Sequence, residues 1–522
     1  MPDPELAAAL AAYGEVTGLR RLPGGASRET YAFDAGDRPL ILRRDSPASP
    51  DAAAMAREAA LLAAADAAGV PVPRLVDNGP ALLGVPYLIM ERLPGETIPR
   101  RLLRDARFAA VRPRLARELG RILARLHTIP PAAVPGLPDG DPLTDLTERY
   151  AGFDEPRPAV ELALRWLDRH RPAPAPRRAV VHGDFRTGNL LIDETGVRGV
   201  LDWELSHLGD PAEDLGWLCV KAWRFSSPHP AGGFGSRADL LAGYAEAGGA
   251  PPDAAALRWW EVYGTLRWAV LCRHQAGRFL DGSDASIEFA VLGRRVCEQE
   301  HDLLLALGLT APVTVPDPLD AAASAGGVPR DRPNAATLLD AASGAGAVPP
   351  HDRPDTATLL DAASSAGWAP HDQPDAATLP DAASSAGGTP PHDRPDTATL
   401  LDTASSAGGA PPHDGPNAAA LIDAVGAFLD GTRHPDERVR YHTRVASAAL
   451  RIARRELLLG DAHRAAHQTR LRALGCADDA DLASAIRTGA LDARMDEVVA
   501  AVRASVVDKV TVANPRHLAL PG

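Results

Sequence analysis

Three side chains between residues 184 and 202 carry the chemistry on offer in this sequence. The stretch VHGDFRTGNLLIDETGVRGVLDWELSHLGDPAEDLGW, residues 181–217, contains Asp184, an Asn five residues later at Asn189, and a second Asp thirteen residues beyond it, Asp202. Phosphoryl transfer needs such a set: one carboxylate to orient a hydroxyl, then an amide and a second carboxylate to hold Mg²⁺ on a nucleotide. Asp184 is expected to accept or orient the hydroxyl proton, a positional task because a carboxylate is a weak base here. Asn189 and Asp202 are the expected metal ligands. Arg186 is placed to offset charge on the transferring phosphoryl group. His182 reads as a brace for the loop more than as an acid or base, and Glu204 is a less favoured candidate for an accessory metal carboxylate.

These residues must be positioned by local elements. Val180-Val-His-Gly-Asp184 predicts a strand entering a loop. Leu190–Asp193 and Val197–Leu201 predict a hairpin around Glu194-Thr-Gly196 that delivers Asp202. Asp210 before Pro211 predicts a helix N-cap with Pro at the first helical position. Asp214, one turn in, is expected to turn back and hold backbone N–H groups of the catalytic loop. Upstream, Gly24, Gly25 and Ser27 lie between two candidate strands. They suit a loop over phosphates, and a plain hairpin turn explains them equally well. Pro39–Arg44 reads as the next strand and Asp51–Ala68 as a helix carrying Glu58. A cation on that strand, held by a helix carboxylate, is what phosphate binding asks for, which makes Arg43 and Glu58 the natural pair. The run Tyr87–Gly95 is an apolar strand leaving for a loop, where backbone near Glu91 and Leu93 could meet a nucleobase.

The motif HGDFRTGNLL…GVLDWELSHLGDPAEDLGW resembles the aminoglycoside phosphotransferase and choline-kinase-like family, and most of all its branch associated with acyl-CoA dehydrogenases. The resemblance covers roughly residues 10–310. It implies a two-lobed, protein-kinase-like α+β fold, Mg²⁺, and ATP or GTP. It assigns Asp184 as the family's catalytic Asp, and Asn189 and Asp202 as its metal ligands. Two departures stand out: the strand Lys of the family pattern is Arg43, and the metal motif is Asp202-Trp-Glu instead of Asp-Phe-Gly.

At 522 residues the chain is too long for one ordinary domain. The expected organisation is a nucleotide-binding lobe at 1–95, a helical lobe with the catalytic loop at 96–312, a linker at 313–415 and a small all-α bundle at 416–522. The linker contains a phrase that recurs from Pro333, Pro354, Pro374, Pro395 and Pro416, at steps of 20 or 21 residues. Each copy offers one short Leu-bearing centre amid Pro, Gly, Ser and Asp, too little for a stable buried face, so disorder is expected. The last copy runs on as PNAAALIDAV, where the C-terminal part resembles an uncharacterised helical domain often found with such kinases. Tyr441, Val445, Ala448 and Ile452 keep helical spacing there, and Arg440, Arg444, Arg451 and Arg455 line another face. That stripe is either solvated or a docking face.

The net charge of −13 argues against nucleic acid or an anionic membrane as partner. Neither a signal peptide nor a membrane span is recognisable, so a cytoplasmic location is expected. Cys219, Cys272, Cys297 and Cys476 have no metal-binding or disulfide spacing and are expected to be buried thiols. The expected activity is transfer of a nucleotide's γ-phosphate to a hydroxyl of a small molecule, a hydroxyacyl or other alcohol; the hydroxyacyl type is implied by the family resemblance alone. Two alternatives are a nucleotide-binding scaffold whose helical tail recruits a protein partner, and an antibiotic kinase. For an antibiotic kinase, Glu261, Asp281, Asp284 and Glu288 are available acids, but they are spaced as ordinary helix and loop charges.

Overall fold

The computed structural model describes residues 4–22, 28–47, 49–319, 421, 425 and 437–519. The phosphate-loop residues Gly24, Gly25 and Ser27 and nearly all of the repeat tract lie outside the described residues.

The first lobe is a five-stranded antiparallel sheet with one long helix. Strands β1 (Val16–Arg21), β2 (Arg28–Ala35), β3 (Arg38–Asp45), β4 (Leu75–Leu82) and β5 (Val85–Glu91) lie in the order β1-β2-β3-β5-β4. A short helix, α1 (Pro4–Leu10), buries Leu6 and Leu10 against Phe33, Leu40, Leu42 and Ile89 on one face of the sheet. The other side carries α2 (Ala52–Ala67), an Ala-rich segment with strong helix propensity. Asp51 caps α2 by accepting from the Ala54 N–H at 2.9 Å, a contact that contributes about 1 kcal/mol.

A single crossover leads into the helical lobe: α3 (Pro99–Arg104), α4 (Arg112–Leu126), α5 (Pro142–Ala151) and α6 (Pro158–Arg169), then two small two-stranded sheets, then helices again. Strand β6 (Ala179–Val181) pairs with β9 (His207–Gly209), and β7 (Leu190–Ile192) pairs with β8 (Val197–Val200). The remaining helices are α7 (Ala212–Cys219), α8 (Arg237–Glu246), α9 (Ala254–Leu280), α10 (Ile287–Gly293) and α11 (Val296–Ala306). The β7–β8 hairpin is tied to the crossover. Glu96 and Ile192 exchange both backbone hydrogen bonds, at 2.8 and 3.0 Å, and the Val200 N–H reaches Pro71 O at 2.8 Å. The cleft between the lobes therefore has the hairpin as part of its floor.

The C-terminal segment folds as α12 (Glu437–Leu474), α13 (Asp479–Thr488) and α14 (Met495–Ala513). The sequence suggests a small all-α bundle, and its core is shared with the helical lobe. Leu471, Leu482, Ile486, Val498, Val502 and Leu518 cluster with Ala159, Leu162, Cys297 and Leu304 of the helical lobe. The helical stripe holds in part: Val445 and Ile452 are buried, while Tyr441 and Ala448 are half-buried. The Arg stripe divides. Arg444 and Arg451 are exposed, and Arg455 is buried and paired with Asp317 at 2.7 Å. All four cysteines are buried, and none forms a disulfide. Among the described residues, no helix is long and apolar enough to cross a membrane.

Candidate active site

The catalytic loop leaves β6 and is closed from behind by a buried carboxylate. Asp214, on the first turn of α7, accepts from the His182 N–H at 2.8 Å and the Gly183 N–H at 3.0 Å. His127 Nε2 lies 3.2 Å from the same carboxylate, and Tyr244 OH is 2.9 Å from His127 Nδ1. The bracing role expected of Asp214 is thus present. Burial alone would raise the Asp214 carboxyl, but the hydrogen bond and charge of His127 outweigh it and hold the group below its ordinary range. Helix α7 starts one residue later than the sequence suggests. Pro211 itself is the N-cap, and Asp210 accepts from the Ala212 N–H at 2.8 Å.

Two positions explain the loop's sharp path. Gly183 sits at φ +76°, and a Cβ there would come within 2.3 Å of Leu205 O. The carbonyl of Gly183 accepts from Arg267 on α9 at 2.7 Å. His182 Nδ1 faces the Asp184 N–H at 3.1 Å, so it accepts, and Nε2 then donates to Leu201 O at 3.1 Å. Burial pushes the His182 imidazole down, towards its neutral form. That tautomer leaves neither ring nitrogen for substrate, which is the bracing role.

Asp184 is 8% exposed and held by three side chains. Its Oδ1 accepts from Arg186 Nε at 3.0 Å and Trp217 Nε1 at 2.9 Å; Oδ2 accepts from Asn189 Nδ2 at 2.6 Å. Each carboxylate oxygen has about two acceptor positions, so Oδ1 is filled and Oδ2 keeps one. Arg186 is only 2% exposed, with its guanidinium 4.5 Å from the Trp223 ring centroid. Asn189 spends its amide N–H groups on Asp184, which turns its amide oxygen the other way.

The β7–β8 hairpin sets Asn189 and Asp202 side by side, because Leu190 pairs with Val200 and the Leu201 N–H donates to Asn189 O at 2.9 Å. Asp202 sits at φ +65°, a left-handed backbone that non-glycine residues seldom adopt outside functional sites. Burial and the nearby Glu204 push its carboxyl well above the ordinary range, and Arg43 offsets this only in part. Burial likewise raises Glu204 against the pull of Arg43 and Arg28. The Asn189 amide oxygen and the carboxylates of Asp202 and Glu204, all carried by the loop and hairpin, are hard oxygen donors of the kind Mg²⁺ takes.

Across the cleft, Glu58 on α2 hydrogen-bonds both Arg43 on β3 and Arg28 on β2. Arg43 Nη2 stands 3.9 Å from Asp202 Oδ1, which links the two lobes. The expected Arg43–Glu58 pair is formed. Burial alone would raise the Glu58 carboxyl; Arg43 and Arg28 outweigh it and hold it low. At the crossover, the Glu91 N–H is taken by Arg74 O at 3.0 Å and the Glu91 side chain by Arg74 at 2.8 Å. Leu93 is half-buried over the hairpin, where a Cβ on Gly199 would meet its Cδ1 at 3.3 Å.

Sequence reasoning did not single out Arg28, Trp217 or Arg267. Trp217 carried a signal: it lies one helical turn beyond Asp214, so both face the catalytic loop. Arg28 carried none beyond standing next to Ser27.

Residues 18–260 match the phosphotransferase enzyme family (APH), and residues 433–517 match a domain of unknown function (DUF6285). Mouse acyl-CoA dehydrogenase family member 10 is 31% identical over 227 residues, 40% of this chain and 21% of that protein. Human acyl-CoA dehydrogenase family member 11 is 29% identical over 209 residues, 37% of this chain and 26% of that protein. The chain spans about a fifth to a quarter of the length of these relatives. Among solved structures, macrolide 2'-phosphotransferase MphH from Brachybacterium faecium aligns with a TM-score of 0.41 at 23% identity, covering 54% of this chain and 94% of that one. The two-lobed, kinase-like architecture read from the sequence is borne out, with a β-sheet lobe, a helical lobe and a C-terminal helical segment.

Proposed function

We propose, on the match of residues 18–260 to the phosphotransferase enzyme family, that this chain moves the γ-phosphate of ATP or GTP to a hydroxyl of a small molecule in an Mg²⁺-dependent reaction. The observation that carries this reading is the state of Asp184. Three donors fix its carboxylate and leave one acceptor position on Oδ2. An acceptor hydroxyl hydrogen-bonded there has its proton drawn towards the carboxylate and its oxygen lone pair turned outward to the phosphorus. Arg186 acts by holding Asp184, since its guanidinium is packed under Trp223 and away from solvent.

Asn189 and Asp202 would hold Mg²⁺, with Glu204 as a further carboxylate. The bound ion supplies charge neutralisation on the nucleotide's phosphate oxygens. Arg43, fixed by Glu58, is set to pair with the α- and β-phosphates. The glycines Gly24 and Gly25 and the Ser27 hydroxyl would cover them, and backbone at Glu91 and Leu93 would meet the base. Because the Glu91 N–H is already spent on Arg74, its carbonyl and the Leu93 N–H are the groups assigned to that contact.

For the acceptor we propose a hydroxyacyl-type metabolite. Support comes from the acyl-CoA dehydrogenases among the relatives and from how the helical lobe spends its acids. Glu261 is paired with Arg237 at 2.5 Å, Asp284 with Arg278 at 3.1 Å and Glu288 with His442 at 2.9 Å. A polycationic antibiotic would need such carboxylates unpaired. A protein partner would meet the exposed outer faces of the C-terminal helices, since their inner faces are packed on the helical lobe. We place the protein in the cytoplasm. The test is ³¹P NMR of ATP and Mg²⁺ with hydroxyacyl thioesters and, in parallel, an aminoglycoside. A phosphate-ester resonance with the thioester is expected; an ester only with the aminoglycoside would reassign the acceptor, and none with any hydroxyl would leave a nucleotide-binding scaffold.

A further inference from the structure

The end of the described chain reaches back to the residues that hold the catalytic Asp. Lys221 opens the 3-10 turn Lys221–Arg224, directly beyond α7. Its Nζ donates to Asp302 Oδ1 on α11 at 2.7 Å. His517, in the turn that follows α14, places Nε2 2.8 Å from the same oxygen. All three side chains are buried, at 2 to 8% exposure. Two residues past Lys221 stands Trp223, whose ring underlies the Arg186 guanidinium at 4.5 Å and lies 5.0 Å from the Trp217 ring. Trp217 Nε1 in turn donates to Asp184. From His517 to Asp184 the molecule is thus bridged by contacts through one short turn.

A metal centre competes for the same residues. His301, Asp302 and His517 offer ligand atoms within 4.8 Å of one another, and His301 has no hydrogen bond at either ring nitrogen among the described residues. Charge decides against it. The Lys221 ammonium already sits on Asp302 Oδ1 at 2.7 Å, so the carboxylate a metal would need is taken by a fixed cation. A divalent ion added there would face that ammonium with little water to screen it.

We propose that Lys221, Asp302 and His517 form a positioning link through which the C-terminal helical segment sets the Trp217–Trp223 platform under Asp184 and Arg186. The docked tail thereby becomes part of what keeps the catalytic carboxylate in register. A misplacement of about 1 Å at such a carboxylate costs on the order of a hundredfold in rate, so the link would act on kcat and leave nucleotide KM alone. Only this rate effect rests on the phosphotransferase reading; the geometry does not.

The test uses the full chain labelled with 5-fluorotryptophan, with the Trp217 and Trp223 ¹⁹F resonances assigned by single Trp→Phe variants. Asp302→Asn and His517→Gln should each shift both resonances and lower kcat roughly ten- to a hundredfold, with nucleotide KM unchanged. Lys221→Arg, which keeps the cation, should stay near wild type. Arg487→Ala removes a different ion pair of the same interface, to Glu161 at 2.5 Å, and should move neither resonance. If Asp302→Asn fails to fold, His517→Gln decides. Unmoved Trp217 and Trp223 resonances in the folded variants would overturn the link, as would equal shifts in Arg487→Ala. One equivalent of bound zinc, lost on His301→Ala, would overturn it in favour of a metal centre. Shifted resonances in a chain that transfers no phosphate would keep the link and sink the phosphotransferase reading.

Discussion

The two walls of the cleft follow opposite electrostatic plans. On the catalytic-loop wall, charge is consumed internally. Asp184 has three side-chain donors, Asp214 has two backbone donors and His127, and His182 is kept neutral. On the nucleotide wall, charge is stacked. Glu58 draws Arg28 and Arg43 together, and facing them stand Asp202 and Glu204, whose carboxyls are pushed up chiefly by burial. The first wall is complete as folded and rigid, as preorganised catalysis requires. The second holds cations for phosphates and carboxylates that gain from a divalent ion, so its electrostatics are resolved by binding. One wall fixes geometry; the other binds charge.

Substitutions on each wall should therefore fail in different ways. The largest effect is expected at Asp184→Asn, with turnover down about 10²–10⁴-fold and nucleotide binding kept, read by transfer assay and calorimetry side by side. Next is Arg28→Met on the other wall. It leaves Asp45 and Glu58 short of a buried partner, for a loss of about 3–5 kcal/mol in urea unfolding and weaker nucleotide binding. Asp214→Asn should cost about 3 kcal/mol and lower kcat without touching nucleotide affinity. Its pH signature is specific. The folded Asp214 carboxyl is held below its ordinary value, so its contribution is present above the unfolded value of about 3.9. That contribution fades as pH falls through this value towards the folded one, so the variant should show a flatter loss of stability below pH 4. The smallest effect is expected at Arg43→Lys: one ammonium keeps the charge but loses the fork that spans Glu58 and Asp202, and nucleotide affinity should change by less than about tenfold. A variant that instead gained activity strongly would mean that Arg43 had been limiting the site.

How much of this was legible in the sequence differs between the walls for the same reason. Asp184, Asn189 and Asp202 were readable because one loop and one hairpin set their spacing, and that hairpin announces itself through Gly196 and its flanking apolar runs. Arg43 and Glu58 could be paired because strand and helix follow each other directly. Arg28 could not be read, since its two partners lie 17 and 30 residues away, one across the β2–β3 register and one on α2. The shared core of the C-terminal segment was equally hidden. Its contacts, such as Arg487 with Glu161, span 326 residues and depend on two amphipathic faces finding each other. Arg455 hinted at docking, but its partner Asp317 lies before the repeats.

The most direct test of the central claim is thermal stabilisation by ATP and by GTP, with and without Mg²⁺, on wild type and Asp202→Ala in parallel. The account predicts stabilisation that requires Mg²⁺ in wild type and disappears in the variant. Equal stabilisation of both proteins, or none in folded wild type, would contradict it.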